Sequence, residues 1–309
     1  PPLYFMIQYI KNTFTIDIDA RDNDGNTALH MAASTGNYDN FKCLLDLGSD
    51  ISIVNNYGRN IAHIATLNDK YHVFSWIRDR NGLTFNEQDN DGNTALHIAF
   101  QADNMSSVYA LYNVGNAKNI YNNKGFLPFH CFVINKKFSI EDRKYLDNDG
   151  IDDINRTTND GRTLLHLVGQ EGWRDSTAIT EYFIYKKMKI NAVDNDNNTP
   201  LHLIFATEGE NWGNNTQFID ILLKTEKCSL NIQNNIGNTA LHNLLQCIIN
   251  ENNSWGYEEI SEILNCFDFD MMVKNTDTDL TNQAGKSCKD LMEEIHQKDS
   301  RILTFDEYL

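Results

Sequence analysis

The sequence predicts an all-α solenoid of stacked helix-turn-helix units with β-hairpin-like finger loops between them. Three observations predict this fold: a short motif recurs roughly every three dozen residues, a second marker keeps register with it, and apolar residues follow each motif at helical spacing. One such unit buries too little apolar surface to be stable alone, so neighbouring units must stack.

The recurring motif begins as Gly25-Asn26-Thr27-Ala28-Leu29-His30. Its copies end at His30, His63, His97, His130, His166, His202 and His242. A degenerate last copy runs from Gly285 to Leu291, with Asp290 in place of the histidine. The second marker is a polar residue six positions before each glycine, or before Asn197 where the glycine is replaced: Asp19, Ser52, Asn86, Asn119, Asn155, Asn191, Asn231 and Asp279.

This motif resembles the G-x-T-P/A-L-H pattern of the ankyrin repeat family, whose unit of about 33 residues contains a turn and two helices. The resemblance covers essentially the whole chain and implies a single ankyrin-repeat domain over residues 1–309. We expect the chain to begin within a repeat (1–19). The complete repeats are then 20–52, 53–86, 87–119, 120–155, 156–191, 192–231 and 232–279, followed by a capping repeat at 280–309.

Each unit can be interpreted from its residue types. A threonine such as Thr27 precedes each apolar run, where its hydroxyl is expected to accept hydrogen bonds from the first helix amides. Asn60 and Leu127 replace this threonine, so we expect the helices after them to be less well capped. The glycine two residues earlier suits a turn with positive φ.

Spacing between motifs grows towards the C-terminus, and the added residues are mostly polar. We expect them to form loops between the two helices of later units, at 208–215 and 250–256, and in the last finger, at 267–284. Such loops often lie on a working face of a solenoid.

Charge and cysteine content restrict the function. The chain has 26 Lys and Arg against 43 Asp and Glu, a formal net charge of −17, which disfavours nucleic acid and anionic lipid and favours a partner with a basic surface. Six scattered cysteines without metal-ligand spacing indicate reduced thiols in a cytoplasmic protein. No apolar stretch is long enough for a transmembrane helix.

No residue set predicts catalysis, a cofactor or a metal site. The motif histidines are one repeat apart and are interpreted as structural hydrogen-bonding groups. His130 and Cys131 are adjacent, so their side chains point about 100° apart on a helix and fit core packing better than a nucleophilic pair. Aspartate-rich strings such as 22–25 lack the glutamate of a calcium loop and fit turns. The chain is therefore predicted not to be an enzyme.

Two sets of residues are candidates for binding a partner. The first occupies finger positions that ankyrin repeats leave exposed: Val54, Tyr57, Arg59, Asn90, Asp91, Asn93, Tyr121, Lys124, Phe126, Asp160 and Arg162. The alternative is that these are solvated turn residues. The second is Trp173, Trp212 and Trp255, which either cover the lengthened loops or form an exposed aromatic ridge.

The predicted function is that of a non-catalytic, monomeric scaffold that binds a partner protein through its finger tips, concave face and inserted loops. One alternative is the targeting arm of a larger enzyme. Another is a sequestering inhibitor similar to the inhibitor-of-NF-kappa-B family, which the long polar inserts disfavour. The abundance of Asn, Ile, Lys and Asp resembles ankyrin effectors of intracellular bacteria, and also proteins of AT-rich protists and viruses; an effector would act in the host cytosol.

Overall fold

The computed structural model describes residues 5, 9, 13, 17–78, 83–112, 117–135, 155–171, 182–206, 212–225, 228–251, 257–265, 268–302 and 304. The chain divides into two compact units: unit 1 contains residues 1–137 and 143–152, and unit 2 contains residues 138–142 and 153–309. The fold is all-α, as predicted, and the described residues include only an isolated β-bridge between Thr281 and Ser287. That all repeats form one uninterrupted domain stays a prediction.

Unit 1 is built from helix pairs in which a short first helix follows each motif and a second helix returns. Its helices are α1 (Ala28–Thr35), α2 (Tyr38–Asp46), α3 (Ile61–Leu67), α4 (Val73–Ile77), α5 (Ala95–Gln101), α6 (Met105–Tyr112) and α7 (Pro128–Ile134), with a 3₁₀ turn at Ala117–Asn119.

Unit 2 repeats this plan, and some of its helices are longer. They are α8 (Leu164–Glu171), α9 (Pro200–Ala206), α10 (Trp212–Leu223), α11 (Ala240–Glu251), α12 (Tyr257–Asn265), α13 (Phe269–Asn275) and α14 (Cys288–Lys298).

The core of each unit lies where consecutive first helices pack on one another. In unit 1, α1 packs on α3, α3 on α5 and α5 on α7; in unit 2, α8 packs on α9, α9 on α11 and α11 on α14. Small residues such as Ala33, Ala65 and Ala99, all fully buried, allow this close approach. Large aromatic side chains on both helices fill the space around them, among them Phe41, Phe74, Phe100, Phe183 and Phe218.

The expectation that residues 267–284 form a loop is wrong for the part that folds as α13. Asp268 caps this helix by accepting from the Met271 backbone N–H at 3.0 Å. Phe269, Met272 and Val273 then bury one apolar face at helical spacing. The insert at 208–215 is likewise helical from Trp212 onward, and that at 250–256 is helical through Glu251.

A finger, the loop around each motif glycine, is closed by a turn that requires that glycine. The φ angles of Gly25, Gly58 and Gly92 are +79°, +73° and +76°. A Cβ on Gly92 would also lie 2.5 Å from the Asn123 Oδ1 of the next finger. The glycine is therefore needed both for its backbone conformation and for the contact between fingers.

We expect Gly92→Ala to lower the free energy of unfolding by about 2 kcal/mol or more, because it adds a steric clash to left-handed backbone strain. Gly48→Ala is the matched control in unit 1, since Gly48 has φ +90° but no atom within 4 Å of its added Cβ. Urea denaturation of both variants measures the difference. An equal decrease in the free energy of unfolding for both variants would show that the contact between Gly92 and the next finger does not contribute to stability.

Candidate protein-binding surface

Buried histidines connect each finger to the next. The His97 Nδ1 accepts from the Thr94 backbone N–H at 3.1 Å, and its Nε2 lies 2.9 Å from the Phe126 carbonyl of the following finger. An acceptor at Nδ1 requires the proton on Nε2, which can then donate to the carbonyl. The same bridge, with Nε2–oxygen distances of 2.9 to 3.2 Å, is made by His30, His63, His166, His202 and His242.

Burial keeps these histidines neutral. It lowers the pKa of His97 to about 4, and it lowers the pKa of His30, His63, His166, His202 and His242 in the same direction. Hydrogen bonds to the next finger's carbonyl oppose this shift without overcoming it. The motif histidines therefore have the structural role that the sequence predicted.

The threonines cap the helices as predicted. Thr94 forms a capping box with His97, and its hydroxyl also lies 2.9 Å from the His97 Nδ1. At Thr239 the hydroxyl accepts from the His242 backbone N–H at 3.4 Å. The expectation of a weaker cap at Asn60 is wrong, because its Oδ1 accepts from the Ala62 and His63 backbone N–H groups at 3.0 and 3.2 Å. Leu127 has no side-chain acceptor, so only its backbone N–H bonds to His130.

In the repeat that contains Ser287, Asp290 replaces the histidine and makes one of its two contacts, the one to its own turn. Its Oδ2 accepts from the Ser287 backbone N–H at 2.7 Å and lies 2.8 Å from the Ser287 hydroxyl. A carboxylate has no N–H to donate to a following finger. This residue therefore supports its own turn without requiring another unit after it.

Two sets of side-chain contacts also join adjacent fingers. An asparagine two positions before the glycine donates to the previous finger; Asn90, for example, bonds through Nδ2 to the Asn56 carbonyl at 3.0 Å. A second set pairs Asn122 with Asn93 at 2.9 Å, whereas Arg59 and Asp89 occupy the corresponding positions as an ion pair at 3.5 Å. Asparagine thus meets asparagine, and arginine meets aspartate, a complementarity that is visible in the sequence once the fingers are aligned.

These contacts leave the tip residue, the one immediately before each finger glycine, directed into solvent. Tyr57 is 52 % exposed, and the Arg59 guanidinium lies 5.4 Å from the centre of its ring. Asp91, Lys124 and Asp160 are exposed as well. Within each unit the fingers are therefore arranged as a row of solvent-facing tip side chains.

The other predicted finger residues have structural partners. Asn93 is only 8 % exposed, so the expectation that it is exposed is wrong: its Oδ1 accepts from Asn122 and its carbonyl from His63. Arg162 donates to the Gln170 Oε1 at 3.0 Å and lies 3.7 Å from the Asp194 carboxylate. Tyr121 and Phe126 are half-buried, and Val54 is 39 % exposed. Whether these residues bind a partner stays a prediction.

The predicted tryptophan ridge lies largely outside the described residues. Trp173 and Trp255 are outside them, and Trp212 is described only as the first residue of α10. Trp76 belongs to a second helix, as predicted, and its ring centre lies 5.1 Å from that of Tyr38.

Two cysteines lie near polar partners. Cys131 is buried, and burial raises its thiol pKa to about 11, which opposes thiolate chemistry. Sequence reasoning missed a second contact, because it joins separate repeats: the Cys288 Sγ lies 3.2 Å from the His242 Nδ1. Burial raises the pKa of Cys288 to about 12, so this pair is also a packing contact.

Within the described residues, no group of three or more His, Cys, Asp or Glu side chains is placed to hold a metal ion. None of the helices in that part of the chain combines the length and apolar character needed to cross a bilayer.

Stacked helix pairs with histidine bridges between their fingers define a helical repeat protein. The family model for ankyrin repeats in many copies matches residues 9–65. This match agrees with the resemblance of the recurring motif to ankyrin repeats, which generally mediate protein–protein interaction.

Known proteins from several sources are similar to this chain. An ankyrin repeat protein of Acanthamoeba polyphaga mimivirus is 29 % identical over 240 residues, which is 76 % of this chain and 28 % of that protein. The nuclear factor NF-kappa-B p105 subunit of Gallus gallus is 23 % identical over 52 % of this chain and 17 % of its own length. The 26S proteasome regulatory subunit p28 of Saccharomyces cerevisiae is 29 % identical over 52 % of this chain and 67 % of its own length. The chain thus spans less than a third of the length of the mimivirus protein and of the p105 subunit.

The histidine bridges predict a defined pH dependence. Because the folded-state pKa of His97 is about 4, below its ordinary value of 6.5, its contribution to stability is fully present above pH 6.5 and is lost as pH falls from 6.5 towards 4. Urea denaturation at pH 7.5 and 5.5 should show lower stability at pH 5.5. The His97→Asn variant should reduce that difference by roughly 1 kcal/mol. An unchanged difference would contradict the burial argument.

A second prediction concerns the Asn60 cap. The Asn60 Oδ1 lies 2.7 Å from the His63 Nδ1, where a threonine would supply a donor, and its Nδ2 is buried without a partner. We expect Asn60→Thr to raise the free energy of unfolding by about 1 kcal/mol and Thr94→Asn to lower it by a similar amount. Thermal and urea denaturation of the two variants measure both changes; the same sign for both would contradict this account.

Proposed function

We propose that this protein is a non-catalytic scaffold that binds a partner protein through its finger tips and concave face. The observation that carries this proposal is the row of exposed tip residues held at fixed spacing by buried bonds. Preorganisation of this kind reduces the entropy lost on binding. Aromatic and arginine side chains such as Tyr57 and Arg59 are the residue types that most often anchor protein interfaces.

The charge of the chain favours a partner with a basic surface. Unit 2 contains 27 Asp and Glu but 13 Lys and Arg, whereas unit 1 contains 16 and 13. The excess negative charge is therefore concentrated in unit 2, where it would attract a cationic partner and repel nucleic acid. We further propose that the protein acts as a monomer in the cytoplasm. A role as a bacterial effector in a host cytosol stays a prediction.

The alternative function, a targeting arm for a larger enzyme, also uses the repeats for binding. The two functions differ in the role of the bound partner, which a targeting arm would bring to a catalytic domain. Expression of the full reading frame beside residues 1–309, with both assayed for partner capture, separates the two. Equal capture by both, with no additional activity in the longer protein, would remove the alternative.

We expect a tip variant that combines Tyr57→Ala, Asp91→Ala, Lys124→Ala and Asp160→Ala to lose partner capture while remaining folded. The measurement is quantitative mass spectrometry of proteins retained from cell lysate by the immobilised chain, with circular dichroism as the folding control. A protein retained by the unmodified chain and depleted roughly tenfold by the tip variant is the expected result, because interface anchors carry most of the binding energy.

The matched control changes the same residue types at exposed positions away from the fingers: Asp39→Ala, Lys42→Ala, Tyr185→Ala and Asp270→Ala. It alters net charge and aromatic content equally, so it should retain the partner. Equal capture by the tip and control variants would remove the finger tips as the binding surface.

A further inference from the structure

Unit 2 contains a groove that none of the predicted binding residues lines. It has a volume of about 650 Å³ and lies between two fingers, the end of α9 and one side of α11. Asp196 and Ile236, the tip residues of those fingers, border it together with Ala206, Gln246 and Asn250. The groove therefore combines one carboxylate, an apolar wall and several amides.

Most of the amides in this groove are already bonded to each other. The Asn234 Nδ2 donates to the Asn198 Oδ1 at 2.8 Å, and the Asn238 Nδ2 donates to the Asn243 Oδ1 at 2.9 Å. These amide groups satisfy one another and are not open to a ligand. Recognition of a ligand must then depend on the polar groups of the groove that have no such partner.

The groups left open are two kinds of acceptor oxygen and the Asn250 Nδ2. The Asp196 carboxylate is exposed and has no hydrogen-bond or ion-pair partner among the described residues. The Gln246 Nε2 donates to the Asn250 Oδ1 at 3.1 Å, which leaves the Gln246 Oε1 open. Beside these oxygens, Ile236 is 55 % exposed. A carboxylate and an amide oxygen next to an apolar wall suit a side chain with an aliphatic stem and a cationic end.

The cations nearest in the finger pattern do not neutralise Asp196. Arg162, on the finger before, lies against the buried Asp194 and bonds to Gln170. Lys286, on the finger after Ile236, lies 2.6 Å from the Glu294 carboxylate. Asp160, the tip residue of the preceding finger, has a second exposed carboxylate. It lies close to the Asp196 finger, because its backbone carbonyl accepts from the Asn195 N–H. The local charge is therefore negative.

Unit 1 provides an internal comparison. Its corresponding groove, of about 400 Å³, contains Asp91 at the position of Asp196, but the next tip residue is Lys124 in place of Ile236. A carboxylate and an ammonium group thus border the same groove in unit 1. The two grooves differ in charge balance although they share one backbone plan.

We propose that the unit 2 groove binds a lysine or arginine side chain of the partner protein, with its charged end at Asp196 and its aliphatic stem against Ile236. This inference rests on the proposed scaffold function and specifies the type of partner side chain that unit 2 recognises. Unit 1, in which the Lys124 ammonium group borders the groove beside Asp91, does not bind such a side chain.

The test uses four fluorescent octapeptides with a glycine-serine background and one central Lys, Arg, Gln or Glu. Fluorescence anisotropy with the whole chain should show binding of the Lys and Arg peptides in preference to the other two, weakened by added salt. Asp196→Asn and Ile236→Lys should each weaken binding roughly fivefold or more, and Asp270→Asn, at an exposed carboxylate of unit 2 away from the fingers, should leave it unchanged. Lys124→Ile should create a second site in unit 1.

The outcomes separate this inference from the proposed function, because neither Asp196 nor Ile236 is altered in the tip variant. Equal binding of the Gln and Lys peptides, or unchanged binding by Asp196→Asn, would overturn the groove assignment while leaving capture by the finger tips intact. Loss of binding on Asp270→Asn as well would show a non-specific charge effect and would also overturn it. The anisotropy series includes circular dichroism of each variant, so that unfolding is recognised separately.

Discussion

The structure depends on one repeated interaction, the buried neutral histidine that accepts from its own turn and donates to the next. The geometry at Thr94, His97 and Phe126 shows how it works: one ring nitrogen holds the start of a helix, and the other holds the carbonyl of the neighbouring finger. Burial keeps the ring neutral, and neutrality gives it one donor and one acceptor. Each unit is therefore completed by its neighbour, as a repeat architecture requires.

The same network divides the finger residues by role. Asparagines such as Asn90 and Asn93 are occupied in joining fingers, and the motif glycines allow that close approach. In the described fingers the tip residue is left to vary, because its side chain is directed into solvent and only its backbone contributes to the contact. The chemical character of the exposed surface therefore depends mainly on one residue in each finger, the tip residue, of which Tyr57 and Asp196 are examples.

Sequence reasoning predicted the all-α class, the structural role of the histidines and the exposed tips at Tyr57 and Lys124, because each follows from residue type and period. It was wrong where a side chain has several possible partners. Asn93 occupies a position that the family pattern leaves exposed, yet here it is buried by its bond to Asn122 on the next finger. The helix at Phe269–Asn275 was missed because a short apolar pattern was outweighed by polar neighbours.

The sequence by itself therefore determined the repeating unit: its length, its turn glycine, its histidine and its apolar stripe are all local properties of the chain. Only the tertiary structure decided which polar groups are used up between neighbours and which remain open. The contact between Cys288 and His242, and the different surroundings of Asp91 and Asp196, arise between residues tens of positions apart. Such contacts depend on how one unit lies against the next, and no local pattern encodes that distance.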